Sequence, residues 1–346
     1  MMLWNRLKSS PKFSAGRESV GQLLEERRRQ AAERITKLQA ELKEAEELCK
    51  GKACAYITGS VARGEASTHS DLDLFIVSKG TLRDPDLTRL DEILIKADLI
   101  QATTKLGFPP FSGDGEYLTR HIVSDLTGAL GKPHDDVNNT FTARLLLLLE
   151  SKPLLGKAVY DRVISDVIAA YWKDYPDRKN EFQPAFLAND ILRMWRTFCV
   201  NYEARTQSIP AHKKAKRKLK NYKLKHSRLL TCYSALLYLL AVFVEKLTVR
   251  PEDVKQMVSF TPTERLEWLL KGGRWPSANN ALRELIARYE DFLKKTDAPE
   301  EEIVNKLLNG THDRTYLKFD NSFGDFIWEA MQEIGGKNRF HRMLVV

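Results

Sequence analysis

Through Ala31, Ile35, Leu38, Leu42, Ala45 and Cys49 the apolar residues stand alternately four and three apart with charge between them, which predicts a long amphipathic helix over residues 17–50. Such a stripe needs a partner surface. Packing on the next segment of the chain is the first reading; a short self-associating coiled coil, making a homo-oligomer, is the second. The period then changes. Ala55-Tyr56-Ile57-Thr58 reads as a short strand, Gly59-Ser60 breaks it, and Val61 to Glu65 opens a helix. Asp71-Leu72-Asp73-Leu74-Phe75-Ile76-Val77 reads as a second strand, and a period of two puts Asp71 and Asp73 on one face. Leu87, Leu90, Ile93, Leu94, Ala97 and Ile100 mark the inner face of a helix near 86–106, ended by Gly107. Phe108 to Ser112 is expected to be the next strand, at an edge or irregular because of its two prolines. Pro133-His134-Asp135-Asp136 leads into a helix from Thr140 to Glu150, whose five consecutive leucines cover every face and so call for burial all round.

From residue 158 onward the patterning is helical with no strand pair. Ala188 to Arg205 is aromatic and basic, Leu229 to Val244 reads as a buried helix, and Thr261-Pro262-Thr263-Glu264 signals a helix start. Gly272-Gly273 ends that helix; further helices are expected at 277–295, 298–309 and 324–335, with Trp275, Phe326 and Trp328 as core or packing aromatics. The fold class predicted is α+β: a small mixed sheet flanked by helices, then a helical bundle. The expected divisions are an N-terminal helical extension (1–50), a sheet-bearing domain (51–157) and a helical domain (158–346).

Composition narrows the classes. The 346 residues are 43% hydrophobic and 29% charged, which is globular and excludes a disordered chain. Cys49, Cys54, Cys199 and Cys232 lie scattered without metal-like pairing, so a reducing cytoplasm is the expected home. The start has no apolar run of signal-peptide length, and the uncharged run Leu229–Val244 falls short of the ~20 residues of a membrane span. A net charge of +9 favours a polyanionic partner. Much of it lies in Lys213, Lys214, Lys216, Arg217, Lys218, Lys220, Lys223, Lys225 and Arg228: either a solvated helix face or a surface for triphosphate or an oligonucleotide backbone.

The chemistry converges on Ala55 to Ser78. A glycine-serine break between strand and helix offers backbone N–H groups to an anion. Two carboxylates on one face repel unless a cation joins them, and hard oxygen ligands suit Mg²⁺ or Mn²⁺, which also take phosphate oxygens. One triphosphate would satisfy both halves.

The run GSVARGEASTHSDLDLFIV resembles the nucleotidyltransferase fold of the DNA polymerase β superfamily, whose signature is Gly-Ser, a spacer, then Asp-x-Asp between apolar residues. It is most similar to compact bacterial members, in which Arg and Glu come after the turn as Arg63 and Glu65 do here. The resemblance implies that Asp71 and Asp73 hold the metal, that Gly59 and Ser60 hold the phosphates with Arg63 nearby, and that a third carboxylate comes from a later strand. Asp114 is the candidate for it, with Glu116, Asp135 and Asp136 behind. It also implies a basic group from the helical domain on the phosphates, for which Lys225 and Arg228 are the candidates. His69 in the motif loop is either a phosphate contact or, as the first reading, an ordinary polar loop residue. TFTARLLLLLESKPLLG is similar to the segment after the catalytic strands of the bacterial uridylyltransferase of the PII signalling protein, although no His-Asp phosphohydrolase pair or regulatory domain can be placed beyond it. The implied activity is transfer of a nucleotidyl group to a nucleotide or oligonucleotide hydroxyl, giving a small signal or a tailed strand; enzymes of this build occur in bacterial antiviral defence. The alternatives are nucleotidylation of a protein side chain and a non-catalytic nucleic-acid-binding protein on the same fold.

Overall fold

The computed structural model describes residues 21–111, 115, 118–204, 210–308, 322–336 and 338–345. Its sheet is built on β1 (Ala53–Thr58) and β2 (Asp73–Ser78), antiparallel along their whole length from Ala53 opposite Ser78 to Thr58 opposite Asp73. β3 (Arg120–Ile122) joins parallel to β2 and β4 (Lys152–Leu155) antiparallel to β1, giving the order β3-β2-β1-β4. Because alternate residues face opposite ways, β1 and β2 divide into two apolar faces. Ala53, Ala55, Ile57, Leu74 and Ile76 belong to one core; Cys54, Tyr56, Phe75 and Val77 belong to the other.

The first core is covered by α1 (Gln22–Glu41), α2 (Lys43–Cys49) and α4 (Arg89–Lys105), with the one-turn α3 (Gly59–Ala62) at the end of β1. The expected N-terminal helix is therefore two helices broken at Leu42. Its seam is used inside the chain: Ala31, Leu38, Leu42, Ala45 and Cys49 are all buried. The face assigned to α4 is corrected. Ile95, Leu99 and Ala102 turn inward, and Leu90 (73% exposed), Ile93, Leu94 and Ile100 turn out. Apolar residues lie on both sides of this helix, so periodicity alone did not fix which side faces the sheet.

The second core is larger. Short α5 (Val123–Gly128) and α6 (His134–Val137) lead to α7 (Thr140–Glu150), whose leucines are buried as expected. Next come α8 (Lys157–Tyr171), α9 (Ala185–Ala204) and α10 (Ala211–Lys223), then a π turn, Leu224–Arg228, running directly into α11 (Leu229–Lys246). The rest is α12 (Pro251–Ser259), α13 (Pro262–Leu270), α14 (Asn279–Lys295), α15 (Glu300–Leu308), α16 (Ser322–Gly335) and α17 (Arg339–Val345). Thr261 caps α13 with a reciprocal Glu264 bond, the arrangement its sequence signals. Among the described residues one helical run, His212–Lys246, is long and apolar enough to cross a membrane, and its apolar part, α11, is buried in the protein. Trp328 is half exposed rather than a core residue.

The strand expected at Phe108–Ser112 does not form over 108–111, where Pro109 and Pro110 have no N–H to give a ladder. β3 and β4 stand in its place. β3 is only three residues long, and β4 carries Pro153, tolerated because β4 is an edge strand.

Candidate active site

The site grows from the open end of the β1–β2 pair. β1 ends at Thr58 and turns at Gly59, whose φ of +71° is a left-handed conformation that a side chain disfavours. A Cβ built there would stand 2.6 Å from Asp73 Oδ2, so the turn and the first residue of β2 lie in direct contact. Asp71 precedes the strand rather than opening it. Gly59, Ser60, Asp71 and Asp73 nevertheless line one cavity of about 870 Å³. Burial raises the pKa of Asp73, and the charges of Asp71 and Glu150 raise it further, against Arg228 and Arg63. The helix expected from Val61 to Glu65 is only the turn of α3, and its first N–H is occupied: Gly59 N donates to Glu150 Oε1 at 3.2 Å.

Beneath the turn runs a buried chain of alternating charge. Tyr289 Oη donates to Glu65 Oε2 at 2.9 Å, and Arg63 Nε donates to the same oxygen at 2.8 Å. Arg63 Nη1 reaches Glu150 Oε2 at 2.8 Å, where Thr231 Oγ1 also donates at 2.8 Å. Arg228 Nη1 donates to Glu150 Oε1 at 2.5 Å, and its guanidinium carbon lies 5.5 Å from the centre of the Phe198 ring. Burial would raise the pKa of Glu150, but Arg228 and Arg63 outweigh it and hold the carboxyl at about 2. Arg63 and Glu65 are thus tied to each other under the turn, and both edge onto the cavity.

The helical layer closes the other wall. Arg217, Lys220 and Lys223, three apart on α10, line the cavity with Arg228 from the π turn, and Phe198 and Tyr202 of α9 add flat aromatic surface. A π turn inserts one residue into the helical repeat and re-aims the side chains beyond it, a device common at functional sites. Of the two predicted basic residues Arg228 reaches the cavity, and Lys225 is not among its lining residues. The basic run is divided: Lys213, Lys214 and Lys218 are exposed outside the lining, and Lys216 pairs with Glu301 at 2.5 Å.

The strand beside β2, β3, is Arg120-His121-Ile122 and carries no carboxylate. Asp114 and Glu116 lie outside the described residues. Asp135 is buried against Arg144 (2.6 Å), and Asp136 pairs with Arg193; neither lines the cavity. Among the described residues no group of three or more His, Cys, Asp or Glu side chains is gathered to hold a metal. Glu150, Phe198 and Tyr289 entered the sequence reading only as helix residues. The one signal for them was Glu150 itself, an acid closing a helix of leucines.

No curated protein and no solved structure matches the chain. Residues 35–109, which run from the second half of α1 through the signature turn and Asp71-x-Asp73 to the proline segment, match the family described as nucleotidyltransferase domain; the match agrees with a polymerase-β-like nucleotidyltransferase fold for this segment and supports nucleotidyl transfer as the general activity.

Proposed function

We propose that the protein is a Mg²⁺- or Mn²⁺-dependent nucleotidyltransferase that moves a nucleotidyl group from a nucleoside triphosphate to a hydroxyl of a nucleotide or oligonucleotide. The observation that carries the reading is the meeting, in one cavity, of Asp71 and Asp73 with Gly59, Ser60 and the cations Arg217, Lys220, Lys223 and Arg228. The carboxylate pair fits a divalent cation: Asp73 resists ionisation because it is buried and faces Asp71, and a shared cation would relieve both. Asp71 and Asp73 would hold that ion, which when bound supplies positive charge against the triphosphate oxygens.

In the transfer the acceptor oxygen bonds to the α-phosphorus as the bond from that phosphorus to the oxygen bridging to the β-phosphate breaks. Pyrophosphate leaves with the electron pair, and the hydroxyl proton passes to solvent. Ser60, Arg228, Phe198 and Tyr202 line the cavity; in this reading the Ser60 hydroxyl and the Arg228 guanidinium would donate to phosphate oxygens, and Phe198 and Tyr202 would stack on a base. Arg217, Lys220 and Lys223, none of them ion-paired among the described residues, suit an acceptor that brings further phosphates. The acids of the same wall are already paired, Asp297 with Arg27 and Glu300 with Lys216, which disfavours a cationic acceptor. A nucleotide signal of the kind used in bacterial antiviral defence is one product of this reaction, and a tailed strand is the other.

The test is incubation with each labelled ribo- and deoxyribonucleoside triphosphate and Mg²⁺ or Mn²⁺, with and without an oligonucleotide. Pyrophosphate and a labelled nucleotide or lengthened strand are expected. Label found only on protein would replace this reading with protein nucleotidylation. Salt-dependent oligonucleotide binding without any turnover would replace it with a non-catalytic binding protein.

A further inference from the structure

We propose that Glu150 is a positioning residue for nucleotidyl transfer, fixing the Gly59-Ser60 turn of the sheet and Arg228 of the helical layer in one relation to each other; the inference rests on the transfer reading above. Glu150 ends the leucine helix α7 and is 4% exposed. Nothing about packing explains a carboxylate there, because its neighbours along α7 are apolar and a buried charge is costly unless it is matched by donors. It is matched completely. Oε1 accepts from Gly59 N at 3.2 Å and Arg228 Nη1 at 2.5 Å; Oε2 accepts from Arg63 Nη1 at 2.8 Å and Thr231 Oγ1 at 2.8 Å.

The origin of these donors gives the residue its consequence. Gly59 and Arg63 belong to the signature turn, Arg228 to the π turn and Thr231 to α11, and the first three line the cavity. One carboxylate therefore sets where the turn stands relative to the arginine that faces the same space. The relation extends to Asp73, since Gly59 rests so close to it that even a methyl group would meet Asp73 Oδ2 at 2.6 Å. Arg63 is braced in turn by Glu65 and, through it, by Tyr289 of α14. A displacement of Glu150 would move the phosphate-facing turn and the metal-facing carboxylate together, while the stem of Arg228 stayed on its own helix.

Donor counting chooses the variants. In Glu150→Gln one oxygen becomes an NH₂ facing two donors, so either the Gly59–Arg228 pair or the Arg63–Thr231 pair loses its acceptor. Thr231→Val removes one bond and leaves the charge in place. The proteins are assayed for kcat and KM with a nucleoside triphosphate and Mg²⁺. Separately, without nucleotide or metal, the Gly59 amide resonance is followed in ¹⁵N-glycine-labelled samples. Glu150→Gln is expected to lower kcat about 10–100-fold, the range for loss of a supporting residue, with KM moving much less. Thr231→Val should do the same to a smaller extent, and both should shift the Gly59 resonance. Wild-type kcat in a folded Glu150→Gln protein, or an unmoved Gly59 resonance in both variants, would overturn the proposal. If Glu150→Gln does not fold, Thr231→Val decides by the same two criteria. Absence of turnover in the wild type would instead overturn the transfer reading, and the Gly59 resonance would still decide whether Glu150 holds the turn.

Discussion

Replacing Gly59 by Ala combines two effects that a second glycine can separate. The first is conformational: at φ +71° a residue with a Cβ costs about 1–2 kcal/mol. The second is steric: the new Cβ would lie 2.6 Å from Asp73 Oδ2, so the turn or the carboxylate must shift. Gly51 has nearly the same φ, +70°, and nothing within 4 Å of the position its Cβ would take. It sits just before β1, and six strand residues put Gly59 about 20 Å away. Gly51→Ala therefore reports the conformational cost alone. Both variants should lose about 1–2 kcal/mol in urea unfolding from that effect. Only Gly59→Ala should also lose turnover, by about 100-fold if Asp73 is displaced on the order of 1 Å from its reacting position. Pyrophosphate release at saturating triphosphate and Mg²⁺, beside urea titrations of the same samples, measures both quantities. Equal turnover by the two folded variants would refute the claim that turn and carboxylate form one unit.

Asp71→Asn and Asp73→Asn should each retain the fold, by circular dichroism, and lose nearly all transfer; near-normal turnover by either would remove the metal assignment. Asp73 has its pKa raised mainly by burial and then by Asp71, so in metal-free protein the folded state favours the neutral acid. That advantage is present at low pH and is lost as pH rises through the ordinary carboxylate range and the raised folded value. Asp73→Asn should accordingly gain stability over wild type as pH rises above the ordinary carboxylate range, read from urea midpoints, and a difference that stays constant with pH would contradict the environment described. If the lining face of α10 carries an oligonucleotide, replacing Arg217, Lys220 and Lys223 with Gln should flatten the salt dependence of binding by roughly 0.7 in slope for each phosphate no longer neutralised. The same change at Lys213, Lys214 and Lys218 should have little effect, and equal effects of the two triple variants would dismiss the lining face as the binding surface.

The signature turn, Asp71-x-Asp73, the strands that flank them and the buried helices α7 and α11 were legible because each rests on local rules: a break between periods, alternation, an unbroken apolar run. What was not legible depends on distant partners. β3 is defined by the edge of β2 that it meets, since three residues carry no period of their own. The inner face of α4 was misassigned because Leu90, Ile93 and Leu94 match the helical repeat as well as Ile95, Leu99 and Ala102 do. The division of the basic run between Arg217, Lys220 and Lys223 on one side and Lys213, Lys214 and Lys218 on the other depends on where α10 docks. Glu150 carried a signal, an acid among leucines, but its meaning depends on Arg228 and Thr231, far along the chain.

The same long-range ties bear on how the chain divides. A boundary near residue 157, which we propose, accords with the order of elements, since the last sheet strand ends at Leu155 and α8 begins at Lys157. The core does not respect it: one continuous apolar cluster runs from Leu24 of α1 through Tyr56 and Phe75 of the sheet to Leu344 of α17. α1 reinforces the tie with charge. Arg28 reaches Glu267 of α13 at 2.6 Å, Arg27 reaches Asp297 at 2.6 Å and also donates to the Glu65 carbonyl, and Arg34 donates to the Ser67 carbonyl at 2.9 Å. The loop that carries the signature is thus tied to the helical layer both through α1 and through Glu150. The cavity between them is a product of the whole chain, and the polymerase-β-like segment supplies only one of its walls.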